Sequence, residues 1–240
     1  MLSKNELKYI QSLCQKKQRQ AEGLFLAEGA KLVDELLHSD YRIRSIYAVE
    51  EWVQAHPAVQ ATVVTQPELE RMSNLQTPNQ VLAIAEQQSP ASEPGLKDKL
   101  TILLDGIQDP GNLGTIIRIA DWFGINQIVA SNDTVELYNP KVIQSSMGSF
   151  LRVKLWYKDA GSWIQTCSVP IYGALLKGTS LYQVPPVKEG LLVIGNESKG
   201  IREDLMPYIS APVTIPRSGG AESLNAAVAT GIILSHILKS

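Results

Sequence analysis

The sequence predicts an α/β protein whose second half forms a mostly parallel sheet with helices on both faces. Apolar runs of three to five residues alternate with helical stretches from residue 101 to the end of the chain. The runs are almost continuously apolar, as expected for strands that are buried on both faces. Polar, glycine-rich turns follow several of them. Ligands of such sheets bind beyond the carboxyl ends of the strands, so we expect the functional residues in these turns.

The composition is that of an ordinary globular protein. Of the 240 residues, 44% are hydrophobic and 19% are charged, which argues against global disorder. The net charge of −2 excludes a protein coated with basic residues, so any contact with nucleic acid must use local positive charge. The N-terminus lacks the apolar core of a signal peptide, and residues 226–238 are too short to span a bilayer. We therefore expect a soluble, cytoplasmic protein without a membrane partner.

No metal site is expected. The two cysteines cannot form a disulfide framework, and they make no CxxC pair of the kind that binds zinc. The histidines are isolated from one another and from both cysteines, so surface or packing roles are favoured. These residues are Cys14, Cys167, His38, His56 and His236.

One change in composition divides the chain. Residues 86–95 contain Pro90 and Pro94 and few apolar residues, which is typical of a linker. The predicted organisation is a small α/β domain over residues 1–88, a linker over 89–98 and a second domain over 99–240.

The first domain is predicted from short periodic segments. Leu7, Ile10, Leu13 and Cys14 fall on one face of a helix. A second helix is predicted over residues 29–38, and β-strands over 43–49, 62–65 and 81–85. Residues 1–19 also carry one acidic residue and five basic ones, namely Lys4, Lys8, Lys16, Lys17 and Arg19. This cluster is either a solvated helix face or a contact for RNA.

The second domain is predicted to alternate more regularly. The expected strands cover residues 101–104, 127–130, 153–156, 171–175, 191–194 and 213–215. The expected helices cover 113–123 and 224–238, with further helices between the strands.

Two of the turns after these strands have suggestive residues. In residues 105–115, Pro110 and the glycines predict a tight bend that Asn112 could cap, and Arg118 lies one helical turn further on. In residues 193–200, Gly195 would let a ligand approach the backbone, and Glu197 could accept hydrogen bonds. Either segment is also explained as a well-made turn. The absence of a GxGxxG motif disfavours a dinucleotide site.

A third turn, residues 215–225, leads into a helix of small residues. Ser223 and Asn225 are both good residues for a helix start, so capping alone could explain either.

The three turns together resemble a known family. The order Asp-x-x-x-Asp-Pro-x-Asn-x-Gly-x-x-x-Arg, Gly-Asn-Glu-x-x-Gly and Ile-Pro-x-x-x-x-x-Glu-Ser-Leu-Asn is similar to the three motifs of the SpoU/TrmH family of RNA 2′-O-ribose methyltransferases. The resemblance covers about residues 100–238, with residues 141–150 similar to the family's intermediate segment. It implies a SPOUT catalytic domain with a deep C-terminal trefoil knot. The first half resembles the substrate-binding domain that precedes many such domains.

The resemblance also implies a site. S-adenosylmethionine is expected as the methyl donor, without a metal, held by Gly195, Ile215, Leu224, Ala174, Leu175, Asn196, Pro216 and Ser223. The expected catalytic residues are Arg118, Asn112, Glu197, Ser223 and Asn225. An arginine holds its proton strongly. Arg118 is therefore either a base deprotonated in a dry site or, as we favour, a charged group that holds a phosphate whose oxygen takes the proton.

Partners follow from the same resemblance. The RNA contacts are expected from Lys16, Lys17, Arg19 and Arg118. The family is usually homodimeric through the catalytic domain. An N-terminal domain of this size, with a chain ending soon after its last helix, favours ribosomal RNA over transfer RNA as substrate. A catalytically inactive RNA-binding or assembly factor is the other alternative, and the intact motif residues disfavour it.

Overall fold

The chain divides into two compact units in the computed structural model, which describes residues 2–238. The first unit comprises the residues up to 88 together with Tyr138–Leu151. The second comprises Ser89–Leu137 and the residues from 152 onward. The sequence-based division at residues 88 and 99 did not anticipate that residues 138–151 would join the first unit.

The first unit contains a four-stranded sheet in the order β1-β4-β2-β3. Strands β1 and β2 each pair antiparallel with β4, and β3 adds to β2 in parallel. The elements are α1 (Lys4–Ser12), α2 (Lys16–Glu22), β1 (Leu24–Glu28), α3 (Ala30–Leu37), β2 (Ile43–Ala48), α4 (Glu50–Ala55), β3 (Thr62–Val63), α5 (Gln66–Met72) and β4 (Val81–Glu86).

Strand β1 was not predicted. All five of its residues are buried, so it lacks the alternation of apolar and polar residues that identifies a half-buried strand. Two helices of this unit, α1 and α5, start at side-chain caps. The Ser3 side chain accepts from the Glu6 N–H at the start of α1, and Thr65 and Glu68 form a reciprocal capping box at the start of α5.

The second unit contains a six-stranded sheet in the order β10-β8-β9-β5-β6-β7, and every neighbouring pair is parallel. This confirms the predicted α/β class and parallel sheet. The elements are β5 (Leu100–Asp105), α6 (Pro110–Trp122), β6 (Gln127–Ser131), α7 (Pro140–Ser146, which belongs to the first unit), β7 (Lys154–Lys158), α8 (Ala160–Ile164), β8 (Ile171–Ser180), β9 (Gly190–Gly195), β10 (Ala211–Thr214) and α9 (Ala226–Ile237).

Buried strand residues form the core of the second unit. Leu103 of β5, Val129 of β6 and Val193 of β9 are each fully buried, which explains why their sequences lack alternation. Because all six strands run parallel, their carboxyl ends lie along one edge of the sheet. The turns after β5 and β9 and the segment after β10 therefore start from the same edge.

An aromatic cluster holds residues 138–151 in the first unit. The Phe25 ring lies 4.8 Å from the Tyr138 ring and 5.7 Å from the Phe150 ring, between ring centroids. The Tyr138 hydroxyl also donates to the Gln88 carbonyl at 2.8 Å. Buried aromatic rings contribute large apolar area and prefer tilted or edge-to-face contacts such as these. The segment is thus fixed by packing that spacing along the sequence does not reveal.

Candidate functional site

A chain of side-chain hydrogen bonds joins the three turns singled out in the sequence. The Asn112 amide nitrogen donates to Glu197 Oε1 at 2.6 Å. The Asn112 amide oxygen accepts from the Asn225 amide nitrogen at 2.7 Å. Asn112 lies in the first turn of α6, Glu197 follows β9, and Asn225 precedes α9. Four of the five predicted catalytic positions therefore lie in turns that meet, and three of them are directly bonded.

The first turn of α6 leaves the Asn112 side chain available for this role. The helix is capped by Asp109, whose Oδ1 accepts from the Asn112 backbone N–H at 2.8 Å. Pro110 occupies the first helical turn, where its missing N–H costs nothing. The expectation that Asn112 caps this helix is wrong, because Asp109 already satisfies the free N–H.

Asn225 combines two functions at the start of α9. Its Oδ1 accepts from the N–H groups of Ala227 and Val228 at 3.0 and 3.2 Å, which confirms it as the cap. Its amide nitrogen remains for Asn112. Ser223, the other predicted helix-start residue, is exposed in the loop before the cap.

Asn196 connects the turn after β9 to the turn after β5. Its amide nitrogen donates to the Gly106 carbonyl at 2.7 Å. Its amide oxygen accepts from the backbone N–H groups of Ser198 and Lys199 at 3.0 and 3.1 Å. A side chain predicted to contact the cofactor thus has its hydrogen bonds within the protein, and it fixes the loop in which Glu197 lies.

The close approach of the protein's own backbone explains why the residue at the end of β9 is a glycine. A Cβ added at Gly195 would lie 2.3 Å from the Gly200 carbonyl carbon, because Asn196 and Gly200 form a β-bridge that folds the loop back. We had interpreted Gly195 as a place where a ligand approaches. In the structure the close neighbour is the protein's own backbone.

An ion pair that the sequence did not reveal supports the same loop. Arg202 Nε lies 2.6 Å from Asp105 Oδ1, and the Arg202 backbone N–H donates to Asp105 Oδ2 at 2.8 Å. Burial raises the pKa of the Asp105 carboxyl above its ordinary value, and Arg202 opposes this shift. The pair connects the end of β5 with the segment after β9. No spacing rule relates two residues so far apart in sequence.

Arg118 lies on the exposed side of α6. Within residues 2–238, its side chain forms no hydrogen bond or ion pair. It is therefore not bonded to Asn112, Glu197 or Asn225. Its guanidinium is therefore not committed to an interaction within the unit. An exposed guanidinium is well suited to binding a phosphate with two parallel hydrogen bonds.

Several of the predicted cofactor residues lie in, at the end of or directly after three neighbouring strands. Ala174 and Leu175 lie in β8, Gly195 ends β9, and Ile215 follows β10. These strands are adjacent in the order β10-β8-β9, so the residues lie at one stretch of the sheet edge. Leu224 lies in the loop before α9 and is exposed, as is Pro216.

An irregularity in β8 leaves backbone groups outside the sheet at this place. Gly173 pairs with Pro212, but the next pair is Thr179 with Val213. Residues 174–178 therefore bulge out of the ladder between β8 and β10. The bulge carries the half-buried side chain of Leu175, and the Leu176 carbonyl accepts from the Thr214 hydroxyl at 3.2 Å. Backbone amide groups beside an aliphatic side chain are suited to a flat, mostly apolar ring such as adenine.

The basic cluster of the first unit is smaller than the sequence indicated. Lys16 and Lys17 are exposed at the start of α2. Arg19 has only 1% of its surface exposed, and its guanidinium donates to the Leu13 carbonyl at 2.9 Å. The expectation that Arg19 contacts RNA is wrong, because its side chain is part of the core.

Residues 2–238 contain neither a cluster of metal-binding side chains nor a helix that could span a membrane. No group of three or more His, Cys, Asp and Glu side chains is placed to hold a metal ion within this range. Over the same residues, none of the helices combines the length and the apolar character needed to cross a bilayer.

Comparison with family models matches nearly the whole chain. Residues 99–235 match the SpoU rRNA Methylase family, and residues 4–83 match the MRM3-like substrate binding domain. The first match covers more than half of the chain and includes all three turns of the site.

Similar proteins extend over both units. The 23S rRNA (guanosine(2553)-2′-O)-methyltransferase RlmP of Bacillus subtilis (strain 168) is 30% identical over 229 residues, covering 92% of this chain and 91% of that protein. A solved AdoMet-bound rRNA methyltransferase from Sinorhizobium meliloti is 30% identical, with a TM-score of 0.86, over 99% of this chain and 96% of the other. A TrmH-family structure from Porphyromonas gingivalis is 38% identical, with a TM-score of 0.85, over 99% and 98%.

Proposed function

Because the chain belongs to the SpoU rRNA Methylase family, we propose that it is an RNA 2′-O-ribose methyltransferase that uses S-adenosylmethionine and acts on ribosomal RNA. The observation that carries this function is the Asn112 chain, which joins all three family motifs into one site. Similar proteins along the whole chain include a named 23S rRNA 2′-O-methyltransferase and an AdoMet-bound rRNA methyltransferase. An enzyme with this substrate would work in the cytoplasm, where ribosomes are.

The methyl donor is assigned to the edge of the sheet at β8, β9 and β10. Bound there, S-adenosylmethionine supplies an electrophilic methyl group on a positively charged sulfur. The adenine would be held by amide groups of residues 174–178 and of the segment after β10, with Leu175, Ile215 and Leu224 beside the ring. Gly195, Asn196, Pro216 and Ser223 would shape the loops around it.

The reaction is an in-line displacement. The ribose 2′-oxygen forms a bond to the methyl carbon while the carbon–sulfur bond breaks, and the hydroxyl proton passes to a base. Most of the acceleration is therefore expected from alignment of the two reacting atoms. Glu197, Asn112 and Asn225 hold the three loops in register, so they orient the groups that contact the ribose.

Arg118 is proposed to act on the RNA side of this reaction. Its guanidinium is charged and exposed, so it can bind the phosphate next to the reacting ribose through two parallel hydrogen bonds. A phosphate oxygen held in this way would take the proton from the 2′-hydroxyl. The alternative is that Arg118 itself takes the proton after losing its own in a dry site.

Replacing Arg118 tests the function. The substrate is first identified by mapping 2′-O-methyl sites on total RNA from cells with and without the protein. Arg118→Ala should then reduce the rate of methyl transfer to that RNA by about 100-fold or more, because the group that orients or deprotonates the nucleophile is lost. Binding of S-adenosylmethionine should change little.

The matched control is Arg152→Ala, which removes an exposed arginine from the same unit. It should leave the rate within a few-fold of wild type. A rate for Arg118→Ala as high as that of the control would refute the role given to Arg118.

The first unit is proposed to bind the RNA substrate. Its match to the MRM3-like substrate binding domain supports this, and Lys16 and Lys17 are exposed basic residues of that region. Lysines that contact phosphates release counterions on binding, so they make the affinity depend on salt.

A double substitution tests the lysine contacts. Lys16→Ala with Lys17→Ala should weaken RNA binding and lower the slope of log affinity against log salt by roughly one to two. Fluorescence anisotropy at several salt concentrations measures both. Lys154→Ala with Lys188→Ala, which removes the same charge from the second unit, is the control. An unchanged slope in the first variant would assign Lys16 and Lys17 to an ordinary solvated surface.

A trefoil knot in the second unit is part of the proposal. The strand order supports it, because β10 pairs with the edge of β8 that faces away from β9. Helix α9 then returns to pack against α6. A crystal structure in which the C-terminal segment passes outside the preceding loops would contradict the knot.

The active form is proposed to be a homodimer through the second unit. Val228 and Ile232 lie four residues apart on α9, with 50% and 37% of their surfaces exposed. Trp122, at the end of the neighbouring helix α6, is 83% exposed. Exposed apolar side chains of this kind are typical of an interface. Because the family that the sequence resembles usually forms homodimers, we propose a second copy of this chain as the partner.

Sedimentation velocity tests the dimer. Wild-type protein should sediment as a dimer at micromolar concentration. Val228→Asp should shift it to the monomer, because an unpaired carboxylate would be buried in the interface. Val63→Asp is the control, since Val63 is 48% exposed in the first unit. A monomeric wild type, or dimers in both variants, would rule out this interface.

A further inference from the structure

The first unit contains a cavity that the methyl-transfer site does not use. It has a volume of about 220 Å³ and lies between the end of β1, the loop after α5 and helix α7. All of the residues around it belong to the first unit. Its size is below the roughly 300 Å³ of pockets for drug-sized ligands, so a single planar ring system suits it better than a whole nucleotide.

Half of the residues that line the cavity are apolar and half are polar. Leu26, Leu75, Pro140 and Ile143 supply apolar surface, while Glu28, Asn74, Lys141 and Gln144 supply polar or charged groups. Apolar surface with a few polar groups that fix the orientation of the ligand is typical of small-ligand sites. Unpaired bases of RNA are commonly recognised by hydrogen bonds to their edges.

Glu28 determines which base the cavity would accept. The residue is 7% exposed, and its carboxylate accepts from the Ser73 hydroxyl and from the Asn74 backbone N–H. A carboxylate offers about four acceptor positions, so two of them are not used by these partners. Burial raises the pKa of this carboxyl, and the two hydrogen bonds oppose the shift.

The chemistry of the base edges then selects guanine. An ionised carboxylate accepts hydrogen bonds and donates none. Guanine presents two adjacent donors, N1–H and the N2 amino group, on its Watson–Crick edge. Adenine and cytosine each present a single amino group there, and uracil a single N–H.

We propose that this cavity binds a guanine base of the RNA substrate, with Glu28 accepting from N1–H and N2–H. The inference rests on the proposed function, because it takes RNA as the ligand. The cavity is built from the first unit alone, whereas the motif residues lie in the second. The cavity would thus give the RNA contact a preference for one base. Lysines that contact phosphates cannot provide such a preference.

Short RNAs test the proposal with the full-length protein. The probes are fluorescein-labelled UUGUU, UUAUU, UUCUU and UUIUU, where I is inosine, which lacks the N2 amino group of guanosine. Fluorescence anisotropy should show UUGUU binding about tenfold more tightly than each of the others. Equal affinities for the four RNAs, or no binding to any of them, would overturn the proposal.

Substitutions connect the preference to the cavity. Glu28→Gln should bring the ratio of the UUGUU and UUIUU affinities close to one. Glu70→Gln is the matched control, since it removes the same charge from an exposed position of α5 and should keep the ratio. Leu75→Phe, which fills the cavity without changing charge, should also abolish the ratio and serves if Glu28→Gln does not fold. A preference that survives in the folded variants would overturn the assignment.

S-adenosylmethionine binding and methyl transfer are measured on the same wild-type preparation. If both are present and the guanine preference is absent, the cavity proposal alone fails. If the preference is present and both are absent, the proposed function fails.

Discussion

The amide of Asn112 is the constraint on which the site depends. A carboxamide carries a donor and an acceptor on one planar group, and Asn112 uses both, donating to Glu197 and accepting from Asn225. Aspartate would set a second negative charge against Glu197, and leucine would leave both partners without a hydrogen bond. Three turns that are separated by as much as 113 residues are in this way held by one side chain.

The parallel sheet makes that bond possible. The turns after β5 and β9 begin at the same edge because their strands are adjacent and parallel. Asn196 and the Asp105–Arg202 pair then fix the loop that carries Glu197. Charge and hydrogen bonding at this edge are mostly satisfied within the protein. The assignments of cofactor and RNA are based on the bulge of β8 and on the exposed guanidinium of Arg118.

The sequence was sufficient for the class of fold and for the finding that three separate turns meet at one edge of the sheet. Near-continuous apolar strands predicted the parallel sheet, and motif order predicted that Asn112, Glu197 and Asn225 belong together. The predictions from sequence failed where packing in the folded chain determines the role of a residue. Arg19 was interpreted by charge but lies in the core, Asn112 was interpreted as a cap that Asp109 provides, and residues 138–151 join the first unit through aromatic contacts. The partner of Asp105 could not be found, because nothing local relates it to Arg202.

Calorimetric titration of S-adenosylmethionine into wild type and Asn112→Asp tests the central claim most directly. The substitution keeps the shape of the side chain but removes its donor and sets a second carboxylate against Glu197. If the Asn112 amide holds the three turns as one site, the dissociation constant should increase by about tenfold or more, the effect expected when a hydrogen bond to a charged group is lost. Asn126→Asp, an exposed position of the same unit, should leave it unchanged. Equal affinities in the wild type and Asn112→Asp would contradict the account.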